Sequence, residues 1–306
     1  MKPKVTVVGA GNVGAQCAYR LAQRNTGSIV LIDVVEGLPQ GKALDMSQAG
    51  AVDGFNSSVL GSNDYADTRD SSVVVITAGL ARKPGMSRDD LIQKNAAIIK
   101  DVVQNVIKYS PHSILLIVTN PLDVMTYLAL RTSGFPPNRV LGMAPLLDAA
   151  RMQYFIAQTL KVPINDVYAE VLGSHGDLMV PVPRLSTAKG KPITELLTPE
   201  QIKHIIDKTT RGGAEIVALL KTGSAYYAPG SAAAHMAEAI VKDKNEVIGT
   251  CCLLNGQYGI KDVCLGVPAR LGKNGIEEIV EIDLTEEEKQ SLQHAASAVK
   301  SLYPLL

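Results

Sequence analysis

Residues 173–177 read Gly-Ser-His-Gly-Asp, and residues 143–151 read Met-Ala-Pro-Leu-Leu-Asp-Ala-Ala-Arg. His175 can exchange a proton near neutral pH. Asp148 can orient an imidazole and stabilise its charged form, and Arg151 can grip a carboxylate through two parallel hydrogen bonds. Asp148 and Arg151 are three apart, so on a helix they share one face. A lone histidine is as readily structural as chemical, and Asp148 with Arg151 alone would be an ordinary intrahelical ion pair. All three occur in a chain that opens on Gly9-Ala10-Gly11-Asn12-Val13-Gly14. That combination suits hydride and proton transfer on a small 2-hydroxy acid.

The glycine segment follows an apolar run and opens a helical pattern, the setting in which such a segment cradles a dinucleotide. Gly9 permits the tight turn, Gly11 lets the backbone approach a pyrophosphate, and Gly14 lets helix and strand pack closely. The helix N-terminus then offers free N–H groups and positive dipole to the phosphates. Asp33 ends the next apolar run, nineteen residues after Gly14. A carboxylate there accepts both ribose hydroxyls and repels a 2′-phosphate, and Val34 and Val35 offer such a phosphate no cation. NAD is therefore expected rather than NADP.

The elements that must position these groups follow from periodicity. In the first half, β-branched runs at 4–8, 28–33, 57–61, 72–77, 113–119 and 139–142 predict strands. Helical patterns lie at 12–25, 41–51, 89–108 and after Pro121, with a polar loop at 79–88. Continuous apolar strands separated by helices predict a parallel sheet covered on both faces, a doubly wound α/β unit of Rossmann type over residues 1–144. From 145 to 306 the pattern predicts an α+β unit carrying substrate-binding and catalytic residues. It has helices at 146–161, 199–221, 225–241 and 285–302, strands at 166–172, 179–184, 246–254 and 262–267, and a Gly-Lys-Pro turn at 190–192. Thr285 with Glu288 is a capping box. No flexible linker marks the boundary, so the two units are expected to pack closely.

The chain has 306 residues, 46% of them hydrophobic, and 30 basic residues balance 30 acidic ones. A neutral chain carries no global field for nucleic acid or an anionic membrane, so neither is an expected partner. Cys17, Cys251, Cys252 and Cys264 form no metal or redox motif. They read as buried free thiols in a reducing compartment, and no metal is expected. Neither a leader sequence nor a membrane span is apparent, and a cytoplasmic protein is expected.

Six segments, in order along almost the whole chain, resemble the lactate/malate dehydrogenase family, and most of all its lactate-dehydrogenase-like, NAD-dependent malate-oxidising branch. They are GAGNVG at 9–14, ITAGLARKPGMSRDDL at 76–91, IVTNPLDVMTY at 117–127, LDAAR at 147–151, GSHGDLMVP at 173–181 and GSAYYAPG at 223–230. The resemblance implies that His175 is the acid/base, that Asp148 orients it, and that Arg151 binds the substrate's C1 carboxylate. It implies further that Asn120 bonds the reacting oxygen, that Val118, Thr119 and Asn120 line the cofactor, and that Asn95 contacts it. Arg88 would polarise the carbonyl from a mobile loop. Two positions depart from the family pattern: Pro145, where a small residue usually precedes the helix, and Ser174, where glycine or glutamate is common.

Arg82 sets the expected substrate. Relatives that act on lactate typically carry glutamine there, whereas malate and oxaloacetate bring a second carboxylate that a water-poor site cannot leave unpaired. A guanidinium answers it, and Ala225, where lactate enzymes usually place threonine, agrees. The expected reaction is reversible NAD-dependent oxidation of (S)-malate to oxaloacetate, a step of the tricarboxylic acid cycle. The alternatives are an L-lactate dehydrogenase, a relaxed 2-ketoacid reductase and a non-catalytic NAD-binding protein. The resemblance also implies a homo-oligomer, dimer or tetramer, for which the apolar faces of 41–51 and 225–241 are candidates.

Overall fold

The computed structural model describes residues 3–80 and 87–306. In the first half the chain runs β1 (Lys4–Val8), α1 (Asn12–Gln23), β2 (Ser28–Ile32), α2 (Leu38–Asp53), β3 (Val59–Ser62), β4 (Val73–Ile76), α3 (Arg88–Tyr109), β5 (Ile114–Ile117), α4 (Leu122–Ser133) and β6 (Val140–Gly142). The strands pair in parallel in the order β3-β2-β1-β4-β5-β6. Val73, Val74, Val75 and Ile76 are fully buried, as are Leu115, Leu116 and Ile117. Burial on both faces is why these strands read as unbroken apolar runs rather than alternating ones. The order reverses between β1 and β4, and the glycine turn opens at that switch point.

The second half contains α5 (Leu146–Leu160), β7 (Val167–Tyr168), β8 (Val171–Gly173), β9 (Met179–Pro181), β10 (Thr187–Ala188), β11 (Lys191–Pro192), α6 (Ile193–Leu196), α7 (Pro199–Leu220), α8 (Tyr227–Val241), β12 (Glu246–Asn255), β13 (Lys261–Gly272), β14 (Gly275–Ile279) and α9 (Glu286–Lys300). The expected strand at 166–172 is two strands. β7 joins a three-stranded sheet with β10 and β11, and β8 joins the large sheet. β13 runs past its expected end, and β14 was not anticipated. The large sheet continues from β6 through the antiparallel β12, β13, β8 and β9, with Cys251 of β12 beside Gly142 of β6. The two halves are thus joined by strand pairing as well as by side-chain packing.

The capping box of α9 forms as expected, with Thr285 accepting from the Glu288 amide. Pro145 sits at the N-cap of α5, and its ring occupies room left by two glycines. A Cβ on Gly266 would come within 2.3 Å of it, and one on Gly249 within 2.9 Å. All four cysteines are free and buried. The apolar face of α8 is spent inside the chain: α8 packs on α1 and β13, and Ala233, Ala234 and Ala237 are fully buried. On α2, by contrast, Leu44 and Val52 remain exposed. Among the described residues, no helix is long and apolar enough to cross a membrane.

Candidate active site

His175 follows β8 in a short loop held open by glycines. Gly173 and Gly176 have φ of 90° and 113°, a region that side chains with a Cβ rarely enter. The imidazole Nδ1 lies 2.9 Å from Asp148 Oδ2. Asp148, in the first turn of α5, is 1% exposed and also accepts from Arg151 Nη1 at 3.2 Å through its other oxygen. The intrahelical pair and the histidine–aspartate pair are therefore both present and share one carboxylate. Burial pushes the His175 pKa down, but the Asp148 charge and hydrogen bond, together with the Asp123 charge, outweigh it. The net shift is upward despite opposition from Arg151. With Nδ1–H donated to Asp148, Nε2 keeps the lone pair that accepts a proton.

His175 and Arg151 line a cavity of about 330 Å³, with Asp148 buried behind them. Val13, Val118 and Asn120 border it from the first half of the chain, and Arg151, His175, Thr210, Gly213 and Ala225 from the second. Arg151 enters it alongside the Gly212-Gly213 pair of α7, where a Cβ would still fit in ordinary van der Waals contact. A Cβ at Gly213 would stand 3.4 Å from Arg151 Nη2, and one at Gly212 would stand 3.4 Å from its Cδ.

The glycine turn is tightly packed on one side and open on the other. Gly9 has φ of 105°, and a Cβ there would strike Ala78 and Thr77 at 2.7 Å. On Gly14 a Cβ would lie 1.8 Å from the Gly9 carbonyl, so α1 sits as close to the turn as a missing side chain allows. Gly11 differs, since a Cβ on it would meet nothing within 4 Å. No side chain caps the start of α1, so its free N–H groups remain available to an anion. Asp33 accepts from the Ala10 amide at 2.6 Å and from the Val35 amide at 2.9 Å. It fixes the turn through these two bonds. Lys42 of α2, which sequence reading passed over, donates to the Ala10 carbonyl at 2.7 Å. Thr77 likewise donates to the Gly9 carbonyl at 3.0 Å.

Asn95, expected to contact a cofactor, is fully buried, and its amide is spent on backbone. It donates to the Asn120 carbonyl at 2.7 Å and to the Leu80 carbonyl at 3.2 Å, and it accepts from the Leu80 amide at 2.8 Å. These bonds brace the Asn120 turn against the segment around Leu80. Thr119 is also buried, donating to the Ala78 carbonyl at 2.7 Å, while Val118 and the exposed Asn120 reach the cavity. Arg82 lies outside the described residues, as does the side chain of Arg88, whose backbone begins α3. Ser174 has a partner that the sequence did not reveal, the buried carboxylate of Asp123 at 2.8 Å. Among the described residues, no cluster of metal-binding side chains is present.

Comparison with known proteins supplies the context for this geometry. A model of the lactate/malate dehydrogenase NAD binding domain matches residues 3–142, and one of the lactate/malate dehydrogenase alpha/beta C-terminal domain matches residues 146–303. The malate dehydrogenase of Pelodictyon phaeoclathratiforme is 54% identical over 298 residues, covering 97% of this chain and 96% of that one. The structure of malate dehydrogenase from Salinibacter ruber superposes with a TM-score of 0.95 at 46% identity, over 99% of this chain and 97% of the other. A lactate dehydrogenase from Cryptosporidium parvum, complexed with lactic acid and nicotinamide adenine dinucleotide, superposes with a TM-score of 0.96 at 41% identity, over 100% and 98%.

Proposed function

The chain belongs to the lactate/malate dehydrogenase family, and on that premise we propose that it interconverts (S)-malate and oxaloacetate with NAD as hydride carrier. The observation that carries this reading is one buried carboxylate, Asp148, holding both an imidazole and a guanidinium that line one cavity. The uncapped start of α1, the open space over Gly11 and the Asp33 carboxylate fit a dinucleotide. Gly9, Ala10, Gly11, Asn12, Val13 and Gly14 would hold its pyrophosphate, Asp33 its ribose, and Val118 and Asn120 the side facing the cavity, over a turn kept in place by Thr119 and Asn95. When bound, NAD supplies the hydride acceptor that the side chains lack.

The protein's own part is binding, orientation and proton transfer. Arg151 takes the C1 carboxylate of the substrate in a bidentate pair. Asn120 donates to the reacting oxygen, and Arg88 polarises the same oxygen when the 79–88 loop covers the site and excludes water. His175 Nε2 removes the hydroxyl proton in oxidation and returns it in reduction, while Asp148 stabilises the imidazolium formed between. Arg82 pairs with the second carboxylate, and this distinguishes malate from lactate. The structural likeness extends to a lactate dehydrogenase, so substrate choice rests on Arg82 and on the small Ala225 at the cavity wall.

We further place the working division of the chain at 144/145, with the NAD site on the first unit and the catalytic residues largely on the second. The free thiols suit a reducing cytoplasm. The exposed Leu44 and Val52 of α2 offer a face for a homo-oligomer, whose size sedimentation would read. The deciding experiment follows NADH absorbance with oxaloacetate and then pyruvate. A kcat/KM for oxaloacetate well above that for pyruvate is expected, and the reverse order would assign the chain to lactate.

A further inference from the structure

Asp123 has no part in the chemistry above, yet it is a carboxylate only 3% exposed at the start of α4. Its Oδ2 accepts from the Ser174 hydroxyl at 2.8 Å and from the His175 amide at 3.1 Å. Its Oδ1 is buried and takes no N–H or O–H among the described residues, and the Cys251 thiol stands beside the carboxylate as a weak donor. Three positions upstream is Asn120, on the turn that leads into α4. One carboxylate thus fastens the turn bearing Asn120 to the loop bearing His175, across the two halves of the chain. Those are the two residues that must meet at one substrate oxygen.

Fastening alone does not require a charge. A buried carboxylate whose further support is a weak thiol donor is a costly pin, and an asparagine would offer the same acceptor to Ser174 and His175. A charge here is accounted for if a positive charge must form close by. We propose that Asp123 is a positioning residue for proton transfer, setting the His175 loop against the Asn120 turn and stabilising the imidazolium from the main-chain side of His175 while Asp148 does so from the ring side. This rests on the reading of His175 as the acid/base.

The surroundings leave that charge little screened. Cys251 of β12 and Cys264 of β13 face Asp123, and burial pushes both thiols well above their ordinary range, so they stay neutral. From α5, Asp148 supports the imidazolium and Arg151 opposes it. Burial drives the Asp123 carboxyl above the usual carboxylate range, while the Ser174 hydrogen bond and the His175 charge pull it back. The two groups therefore favour one another's charged forms.

The test is the pH dependence of kcat/KM in both directions for wild type, Asp123→Asn and Ser174→Ala. In the wild type, oxidation should rise and reduction should fall through one shared pKa. Absence of those mirrored limbs would remove the acid/base reading itself, whatever the variants do. Given mirrored limbs, Asp123→Asn keeps the acceptor for Ser174 and His175 but loses the charge, and the shared pKa should fall by about 0.5–1 unit. NADH affinity should stay within about twofold, because Asp123 does not border the glycine turn. Ser174→Ala removes the hydrogen bond that keeps Asp123 ionised, so it should move the pKa the same way by less. It stands alone as the test should Asp123→Asn fail to fold. An unmoved pKa in Asp123→Asn, or in Ser174→Ala where only that variant folds, overturns the proposal, since a purely structural pin would alter stability or kcat and leave the pKa in place.

Discussion

Replacing Asp148 by asparagine removes the charge that holds His175 ready for protonation, and the size of the effect follows from the geometry. The carboxylate lies 2.9 Å from Nδ1 in a setting almost without solvent, Asp148 itself being 1% exposed. Two unit charges about 4 Å apart at an effective dielectric near 20 attract by about 4 kcal/mol, or about three pKa units. Arg151, bound to the same carboxylate, already offsets part of that field, and Asp123 remains in the variant. The expected net fall is about two units. Reduction of oxaloacetate needs the imidazolium, so above both pKa values its kcat/KM should drop about 100-fold, equivalent to about 2.7 kcal/mol. At pH below the lowered pKa, much of that loss should return. Oxidation of malate needs the neutral ring, and its limb should extend to lower pH in the variant. Stopped-flow or steady-state kcat/KM over pH 5 to pH 10, read in both directions, measures this. A pKa equal to that of the wild type would show that Asp148 does not act on His175, and the assignment of the 147–151 segment would fall with it.

The same substitution makes a stability prediction whose sign can be worked out. The folded-state pKa of His175 is raised above its ordinary 6.5, so its contribution is fully present below that value. It is lost as pH rises through the folded pKa. The wild type should therefore exceed Asp148→Asn in Tm by more at pH 6 than at pH 9, where the Arg151 pair and the hydrogen bond from neutral His175 remain but the imidazolium charge does not. Equal differences at the two pH values would deny the linkage.

Three further outcomes are expected. Gly11→Ala should fold with wild-type Tm but lose NADH binding, because its Cβ meets open space that a pyrophosphate would fill. Gly14→Ala should lose both, at a cost of at least about 1–3 kcal/mol, because its Cβ would lie 1.8 Å from the Gly9 carbonyl. Fluorescence titration beside thermal melts separates the two, and matching NADH affinities would break the cradle argument. Arg82→Gln should lower kcat/KM for oxaloacetate by at least about 100-fold, since a desolvated carboxylate that loses its partner costs roughly 3–5 kcal/mol. Pyruvate turnover should hold or rise, and equal losses on both substrates would mean that Arg82 closes the loop rather than choosing the acid. Asp33→Ser should raise the NADP/NAD ratio of kcat/KM by at least about tenfold. An unchanged ratio would leave Asp33 only its bonds to Ala10 and Val35.

Much of this is legible in the sequence because it is local. β1, β2, β4 and β5 are buried on both faces and so appear as apolar runs, and a capping box places the start of α9 to the residue. What failed to read depends on a distant partner or on one direction of a hydrogen bond. The expected strand at 262–267 stops just before Pro268, yet β13 runs to Gly272. The Pro268 carbonyl accepts from Val280 at 2.9 Å, so the proline nitrogen faces that same side, where the β14 ladder ends, and its missing proton opens no gap against β12. The following β14 had a usable signal in Asn274-Gly275, a hairpin pair. The strand expected at 166–172 was misread because periodicity says nothing about which sheet a segment joins, and the chain changes sheets at Ala169-Glu170.

The same division runs through the site. His175, Asp148 and Arg151 were legible because two of them share a helical turn and the third sits among glycines that only a strained loop requires. Asp123 looked like any acidic residue at the start of a helix, where the dipole alone justifies it. Its meaning comes from Ser174 and His175, some fifty residues later in the chain. Asn120 and Asp123 follow β5, and Asp148 follows β6. Neighbouring parallel strands bring their following turns to the same edge of the sheet, and the β6–β12 pairing carries β13 and β8, and with them the His175 loop, up to that edge. The histidine therefore meets one carboxylate from each of two adjacent turns because of strand order. Sequence spacing could report only the carboxylate that shares a helix with Arg151.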